Sequence, residues 1–147
     1  FFAGLSIANL LPTEMEELGE NEPVPPMTFF IFAGYTIPVN ETIDIEPAAM
    51  FKFNENDERQ LDFNLKYEQE VPDTKDVSYW LQLAYRQSLD EGNSNPLEFS
   101  PMGGINFKGF HLGYAYTLGL TKWARHNSGS HSAMLGYSWC KVKKFCR

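Results

Sequence analysis

Asp76-Val77-Ser78-Tyr79-Trp80-Leu81-Gln82-Leu83-Ala84-Tyr85-Arg86 and Phe110-His111-Leu112-Gly113-Tyr114-Ala115-Tyr116-Thr117-Leu118 decide the fold. In both stretches every second residue is apolar. Val77, Tyr79, Leu81, Leu83 and Tyr85 share one face of an extended chain. Ser78, Trp80, Gln82, Ala84 and Arg86 share the other. A period of two is the mark of a β-strand with unlike faces. Here one face is large and aromatic and the other is small or polar. A soluble sandwich does this with the apolar face inward. A transmembrane barrel does it with the apolar face toward lipid.

The same alternation, broken by turn residues, continues along the chain. It predicts eight strands: Phe1–Asn9, Thr28–Pro38, Glu41–Asn54, Arg59–Gln69, Asp76–Gln87, Leu97–Phe107, Gly109–Gly119 and His131–Cys140. Thr28–Pro38 is apolar on both faces and less clearly phased. The segment Leu10–Met27, with Pro12, Gly19, Pro23, Pro25 and Pro26, reads as a loop. Shorter linkers carry Asn, Asp, Gly and Pro, the residues of turns. No helical period occurs. The expected fold is all-β, an antiparallel up-and-down transmembrane β-barrel, with about eight strands whose lengths match a tilted crossing of a bilayer. The 147 residues are taken as a single region.

Composition narrows the functions. No apolar run approaches the roughly 18 residues of a membrane helix, which leaves strands as the only spanning element. The net charge of -7 argues against nucleic acid as a partner. The acidity is local: Glu14, Glu16, Glu17, Glu20 and Glu22 fall in one stretch, while Lys141, Lys143, Lys144 and Arg147 close the chain. Cys140 and Cys146 have no companion Cys or His pair of metal-ligand spacing, so no zinc site or other cofactor is expected. Their separation permits a local disulfide without requiring one.

In a barrel, Asp44, Glu46, Asp62, Lys66, Glu68, Arg86 and His111 point inward and line the lumen. Asp44/Glu46 and Asp62/Glu68 are spaced along strand faces, so cross-strand pairing with Lys52, Lys66 or Arg86 is expected rather than acid–base catalysis. If the last strand ends in the periplasm with Trp139 near its end, the long connections Leu10–Met27, Gln87–Pro96 and Leu120–Ser130 lie outside. The turns Val39–Glu41 and Phe107–Gly109 then lie inside. Short periplasmic turns and longer external loops are the usual asymmetry.

The C-terminal stretch carries a family resemblance. Gly113-Tyr114-Ala115-Tyr116, then Asn127-Ser128-Gly129-Ser130-His131, then Met134-Leu135-Gly136-Tyr137, resembles the end of the PorP/SprF family of type IX secretion system outer-membrane proteins. Gly4 to Leu10, Glu46-Pro47 to Phe53, Leu61 to Asn64 and Leu83 to Arg86 add matches in the same order. Ser132 and Thr117 stand where the family often has Glu and Asp, so any role of those acids is not carried over. The resemblance implies a non-enzymatic protein of the bacterial outer membrane. It also implies that the chain is the C-terminal half of a longer one with a signal peptide, so that its roughly eight strands are part of a larger barrel. Members support secretion or surface anchoring of large adhesins, including those of gliding motility. The implied partners are type IX secretion components and the C-terminal domain of a secreted adhesin.

Loops on a rigid barrel are where partners bind. The residues expected to do so are Glu14, Met15, Glu16, Glu17, Leu18, Glu20 and Glu22, with Asn127 and His131 beside them. A serine hydrolase built on His126 or His131 with Ser128 or Ser130 lacks a nucleophile elbow and a third orienting group. Asn127–His131 reads instead as a loop-to-strand turn, in which Gly129 takes a positive φ and Ser130 or His131 caps backbone donors. A FadL-like or porin-like solute channel and a soluble lipocalin-like carrier are the competing functions.

Overall fold

The computed structural model describes residues 1–10, 25–72, 74, 76–90, 94–122, 124 and 128–138. Among them are nine strands: β1 (Phe2–Ala8), β2 (Thr28–Gly34), β3 (Ile37–Pro38), β4 (Ile43–Asn54), β5 (Arg59–Glu70), β6 (Val77–Ser88), β7 (Pro96–Phe107), β8 (Phe110–Gly119) and β9 (Ser130–Tyr137). All belong to one antiparallel sheet in the order β1-β2-β4-β5-β6-β7-β8-β9, with β3 also on β4. The chain runs up and down between adjacent strands. The sheet is open, with β1 and β9 at its edges.

The registers keep each strand's parity, apart from a one-residue shift at Arg86/Gln87 where the β6–β7 ladder ends. Asp62 faces Arg86, and Arg86 faces Glu98. Asn106 faces His111, which faces Gly136. The opposite face pairs Leu65 with Leu83, and Ile105 with Leu112 and then Leu135. Polar positions therefore form one continuous face and apolar positions the other.

Exposure sorts the two faces in the reverse of a soluble protein. Among the described residues the buried ones are Thr28, Asn54, Asp62, Ser78 and Ser88, all polar, and no apolar side chain is buried. Leu81 is 59% exposed, Leu112 53% and Leu135 75%. The polar side chains pack against each other while the apolar ones stand free. Aromatic rings gather near both ends of the apolar face. At one end Phe29 stacks on Phe53 at 5.0 Å and Phe51 lies beside it; at the other Phe110 meets Tyr137 at 4.7 Å. Between them lie Ile31, Leu65, Leu83, Ile105 and Leu112. An apolar band between two aromatic girdles is the surface that a bilayer selects in a barrel.

One proline faces a break in an expected strand, and another interrupts a ladder between two continuous strands. The expected Thr28–Pro38 strand is broken into β2 and β3 without a change of register, since Gly34 pairs Ala48 and Ile37 pairs Ile45. The break lies opposite Pro47. Tyr35 N–H donates to the Pro47 carbonyl at 3.1 Å, but Pro47 has no N–H to return. Likewise the β7–β8 ladder runs through Phe99↔Leu118 and resumes at Met102↔Ala115, skipping Ser100 and Pro101. There the Ser100 hydroxyl donates to the Thr117 hydroxyl at 2.8 Å. The last strand, expected to reach Cys140, ends at Tyr137. Trp139, Cys140 and Cys146 lie outside the described residues.

Two unlike ends result. One carries the connections 9–27, 55–58, 89–95 and 120–129, here the long-loop end; the other carries 39–42, 71–76 and 108–109, the short-turn end. At the latter, Phe107 pairs Phe110 across a two-residue turn. Lys108 has φ 48° and Gly109 φ 87°, as a type I′ hairpin requires. At the long-loop end, the Asn54 side-chain oxygen accepts the Asn56 and Glu58 N–H groups at 3.0 and 3.1 Å, closing the β4–β5 turn.

Asp90 ties the next connection down. Its carboxylate accepts the Ser88 hydroxyl at 2.6 Å and the Arg59 N–H at 2.8 Å. These bonds, the Ser88 hydroxyl first, hold the Asp90 carboxyl below its ordinary range. A carboxyl whose folded pKa is lowered contributes stability above its unfolded value and loses it as pH falls through the folded value. Protection of the Arg59 amide from hydrogen exchange, corrected for intrinsic rate, should therefore persist below pH ~4 and collapse only at lower pH. Asp90→Asn should flatten this dependence.

Candidate functional site: a hydrogen-bonded polar face

Toward the long-loop end of the polar face, Arg86 on β6 bridges two carboxylates on its neighbours. Its Nε donates to Asp62 Oδ1 at 3.1 Å and its Nη2 to Asp62 Oδ2 at 3.2 Å, a forked contact. Its Nη1 donates to Glu98 Oε2 at 2.8 Å. Gln60 Nε2 donates to Asp62 Oδ1 at 2.9 Å, so a carboxylate that is only 7% exposed is fully engaged.

Toward the short-turn end, a chain of bonds crosses four strands and reaches the residue after β9. Lys66 Nζ donates to Glu68 Oε2 at 2.7 Å on β5. Glu68 Oε1 accepts the Ser78 hydroxyl at 2.9 Å and Asn106 Nδ2 at 3.1 Å, linking β6 and β7. His111 Nδ1 on β8 meets Asn106 Oδ1 at 2.8 Å. Its Nε2 meets the Ser138 hydroxyl, just beyond β9, at 3.0 Å. Both ring nitrogens of His111 are thus occupied.

Aromatic rings on this face lie over glycines. A Cβ on Gly104 would come within 2.7 Å of the Trp80 ring, and one on Gly113 within 3.2 Å. Trp80 faces Gly104 across the β6–β7 ladder, and Gly104 faces Gly113. The indole therefore lies along the wall rather than standing off it. Phe32 covers Gly4, and Phe2 covers Gly34, in the same way. Aromatic cover over strand glycines also pins register.

Asp44, Glu46, Asp62, Lys66, Arg86 and His111 all occur on this one face. Their partners differ in part from expectation. Arg86 pairs across strands as expected. Lys66 stands opposite Glu46 but bonds Glu68, two residues along its own strand. Glu46 instead accepts the Thr36 hydroxyl at 2.9 Å. Among the described residues, Lys52 makes no ion pair and Asp44 no side-chain hydrogen bond.

His131 does not cap its turn. It lies on the apolar face, where its Nδ1 meets the Tyr114 hydroxyl at 2.5 Å and its ring faces Tyr116. Gly129 has the expected positive φ of 87°. Glu14, Met15, Glu16, Glu17, Leu18, Glu20, Glu22 and Asn127 lie outside the described residues. Sequence reasoning missed Glu98 and Asn106. The signal was present, because even positions of β7 carry Glu98, Ser100 and Asn106 while odd ones carry Leu97, Phe99, Ile105 and Phe107. Pro101, Gly103 and Gly104 obscured it.

The Arg86 bridge yields a double-mutant cycle. Arg86→Leu leaves Asp62 and Glu98 without their shared cation and should destabilise the folded protein by about 1–3 kcal/mol, discounted for the partial exposure of Arg86. Asp62→Leu on that background should cost less than it does alone. Denaturant unfolding of the four proteins measures the coupling, and additive costs would mean that the bridge contributes nothing.

The inside-out exposure, the polar wall and the unequal ends are the setting for the comparisons with known proteins. The model of the type IX secretion system membrane protein PorP/SprF matches residues 1–137. No curated protein and no solved structure matches the chain. A match over all but the last ten positions, from β1 to the end of β9, shows the family. The chain belongs to the PorP/SprF family of type IX secretion system membrane proteins.

Proposed function

We propose that the chain forms barrel wall in the bacterial outer membrane and supports secretion or surface anchoring of a large adhesin by the type IX system, without catalysing a reaction. The observation that carries this reading is the reversal of burial, with polar residues packed and leucines exposed. In water that surface would aggregate. In lipid it is the stable arrangement, provided that every backbone donor and acceptor is paired within the sheet.

On this reading the polar face lines a lumen, with Asp44, Glu46, Asp62, Lys66, Arg86 and His111 along it. Arg86 and His111 are each bound on two sides, which favours a fixed wall over a set of free ligands. Partner contacts belong to the long-loop end. Leu10–Met27 is the longest connection there, and it mixes glutamates with Met15, Leu18, Val24 and Met27 as apolar anchors. Its prolines reduce the entropy lost on ordering. The adhesin and the remaining secretion components would meet the barrel at this end.

Two experiments test the two halves of the proposal. Leu112→Arg places a cation in the middle of the apolar face and should cost on the order of 2–4 kcal/mol near the bilayer midplane. Heat resistance of the assembled protein in membranes reads this out, and a variant as resistant as the parent would overturn the face assignment. Deleting Leu11–Val24 should leave assembly intact but remove the adhesin from the cell surface, scored by surface labelling of the adhesin. Normal display after that deletion would exclude the loop from adhesin recognition.

A further inference from the structure

Tyr114 and Tyr116 on β8 and His131 on β9 form a polar cluster at the long-loop rim of the largely apolar face. Tyr116 is the cross-strand partner of His131, one residue inside the start of β9. The Tyr114 hydroxyl lies 2.5 Å from His131 Nδ1. The Tyr114 and Tyr116 ring centroids are 6.0 and 4.8 Å from the imidazole. The Tyr116 hydroxyl donates to the Ser128 carbonyl at 2.6 Å, which fixes that ring against the loop. His131 is exposed, and its Nε2 has no hydrogen-bond partner among the described residues.

The chemistry of the ring follows from its neighbour. With the Tyr114 phenol donating to Nδ1, the neutral imidazole carries its proton on Nε2. Protonation adds a second N–H at Nδ1 and leaves the first in place. In both states a fixed N–H donor faces outward from the wall, at the depth where tyrosines meet the membrane–water boundary.

The adjoining connection supplies the complementary charge. Residues 120–129 include Lys122, Arg125 and His126 and no Asp or Glu. The other long-loop-end connections are acidic: Glu14 to Glu22 in the first, Glu55, Asp57 and Glu58 in the second, and Asp90 and Glu91 in the third. In a chain of net charge -7, the cationic connection is the one beside the tyrosine–histidine cluster. Lys122 is exposed.

We infer that Tyr114, Tyr116 and His131 form a binding site for the phosphate of an anionic lipid headgroup, with Lys122 adding charge at the rim. His131 Nε2–H donates to a phosphate oxygen, Tyr114 holds the imidazole in that tautomer, and the tyrosine rings flank the headgroup. The inference rests on the reading that the apolar face is embedded in a membrane. It adds which lipid that face prefers, and where.

The test uses the whole chain refolded into phosphatidylcholine vesicles with and without phosphatidic acid. Protease protection establishes insertion, and thermal unfolding then reads lipid binding. Phosphatidic acid should raise the melting temperature of the parent protein by roughly 4 °C. His131→Phe keeps an aromatic ring but no donor, and should lose at least half of that rise while inserting normally. His131→Gln, which retains a side-chain N–H donor, should keep most of it. An undiminished rise in His131→Phe would overturn the site. An equal rise from inorganic phosphate with pure phosphatidylcholine vesicles would assign the effect to a soluble anion and overturn the lipid assignment. Failure of the parent to insert in any vesicle would overturn the membrane reading, and the headgroup site with it.

Discussion

The pleat of a β-strand sends successive side chains to opposite faces, and in this chain the cross-strand registers preserve that parity everywhere but at the bulge that ends the β6–β7 ladder. Asp62, Arg86 and Glu98 meet only because β5, β6 and β7 are paired in phase. A slip of one residue in any ladder would move a row of leucines onto the polar wall and a row of charges onto the apolar face. The Arg86 bridge, the hydrogen-bond chain from Lys66 to Ser138 and the aromatic girdles all depend on that phase. Several devices hold it: the two-residue turn at Lys108-Gly109, the Asn54 turn, and aromatic rings seated over glycines on neighbouring strands.

The prolines show how much irregularity this constraint tolerates. Pro47 and Pro101 each remove one ladder hydrogen bond; the strand facing Pro47 splits into β2 and β3, while at Pro101 only the β7–β8 pairing is interrupted and both strands run on. Register is nevertheless the same on both sides of each break, because the flanking residues pair normally. The bulge at Arg86/Gln87 is different, since it shifts register at the long-loop end of β6 and β7. It occurs just past Arg86 and Glu98, so it does not disturb their contact. On the other side of β7, the Leu97 carbonyl accepts the Leu120 N–H at 2.8 Å and continues the β7–β8 register.

The polar wall pairs its buried atoms internally. Among the described residues, no buried side-chain nitrogen or oxygen lacks a partner. Charges at low dielectric are costly unless paired, so a wall with Asp62, Lys66, Glu68, Arg86 and Glu98 in it is stable only as a network. The network also ties β5, β6, β7 and β8 to one another through their side chains. The aromatic rings seated over glycines serve the same end, covering thin places in the sheet.

Much of this was legible in the sequence. Alternation in Val77–Tyr85 and Phe110–Leu118 is a local property, fixed by the geometry of one strand, so strand positions and the apolar face could be read directly. Turn residues gave the connections for the same reason. The sorting of faces needed more, because alternation reads identically with the apolar side inward or outward. Only the tertiary structure shows leucines exposed and Asp62 buried, since exposure depends on what other strands cover. Pairing partners were likewise beyond the sequence. Lys66 choosing Glu68 over Glu46, Glu98 completing the Arg86 bridge and His131 leaving its turn for Tyr114 all follow from registers between strands and from side-chain reach. Those are non-local quantities, fixed only when β4 through β9 are placed side by side.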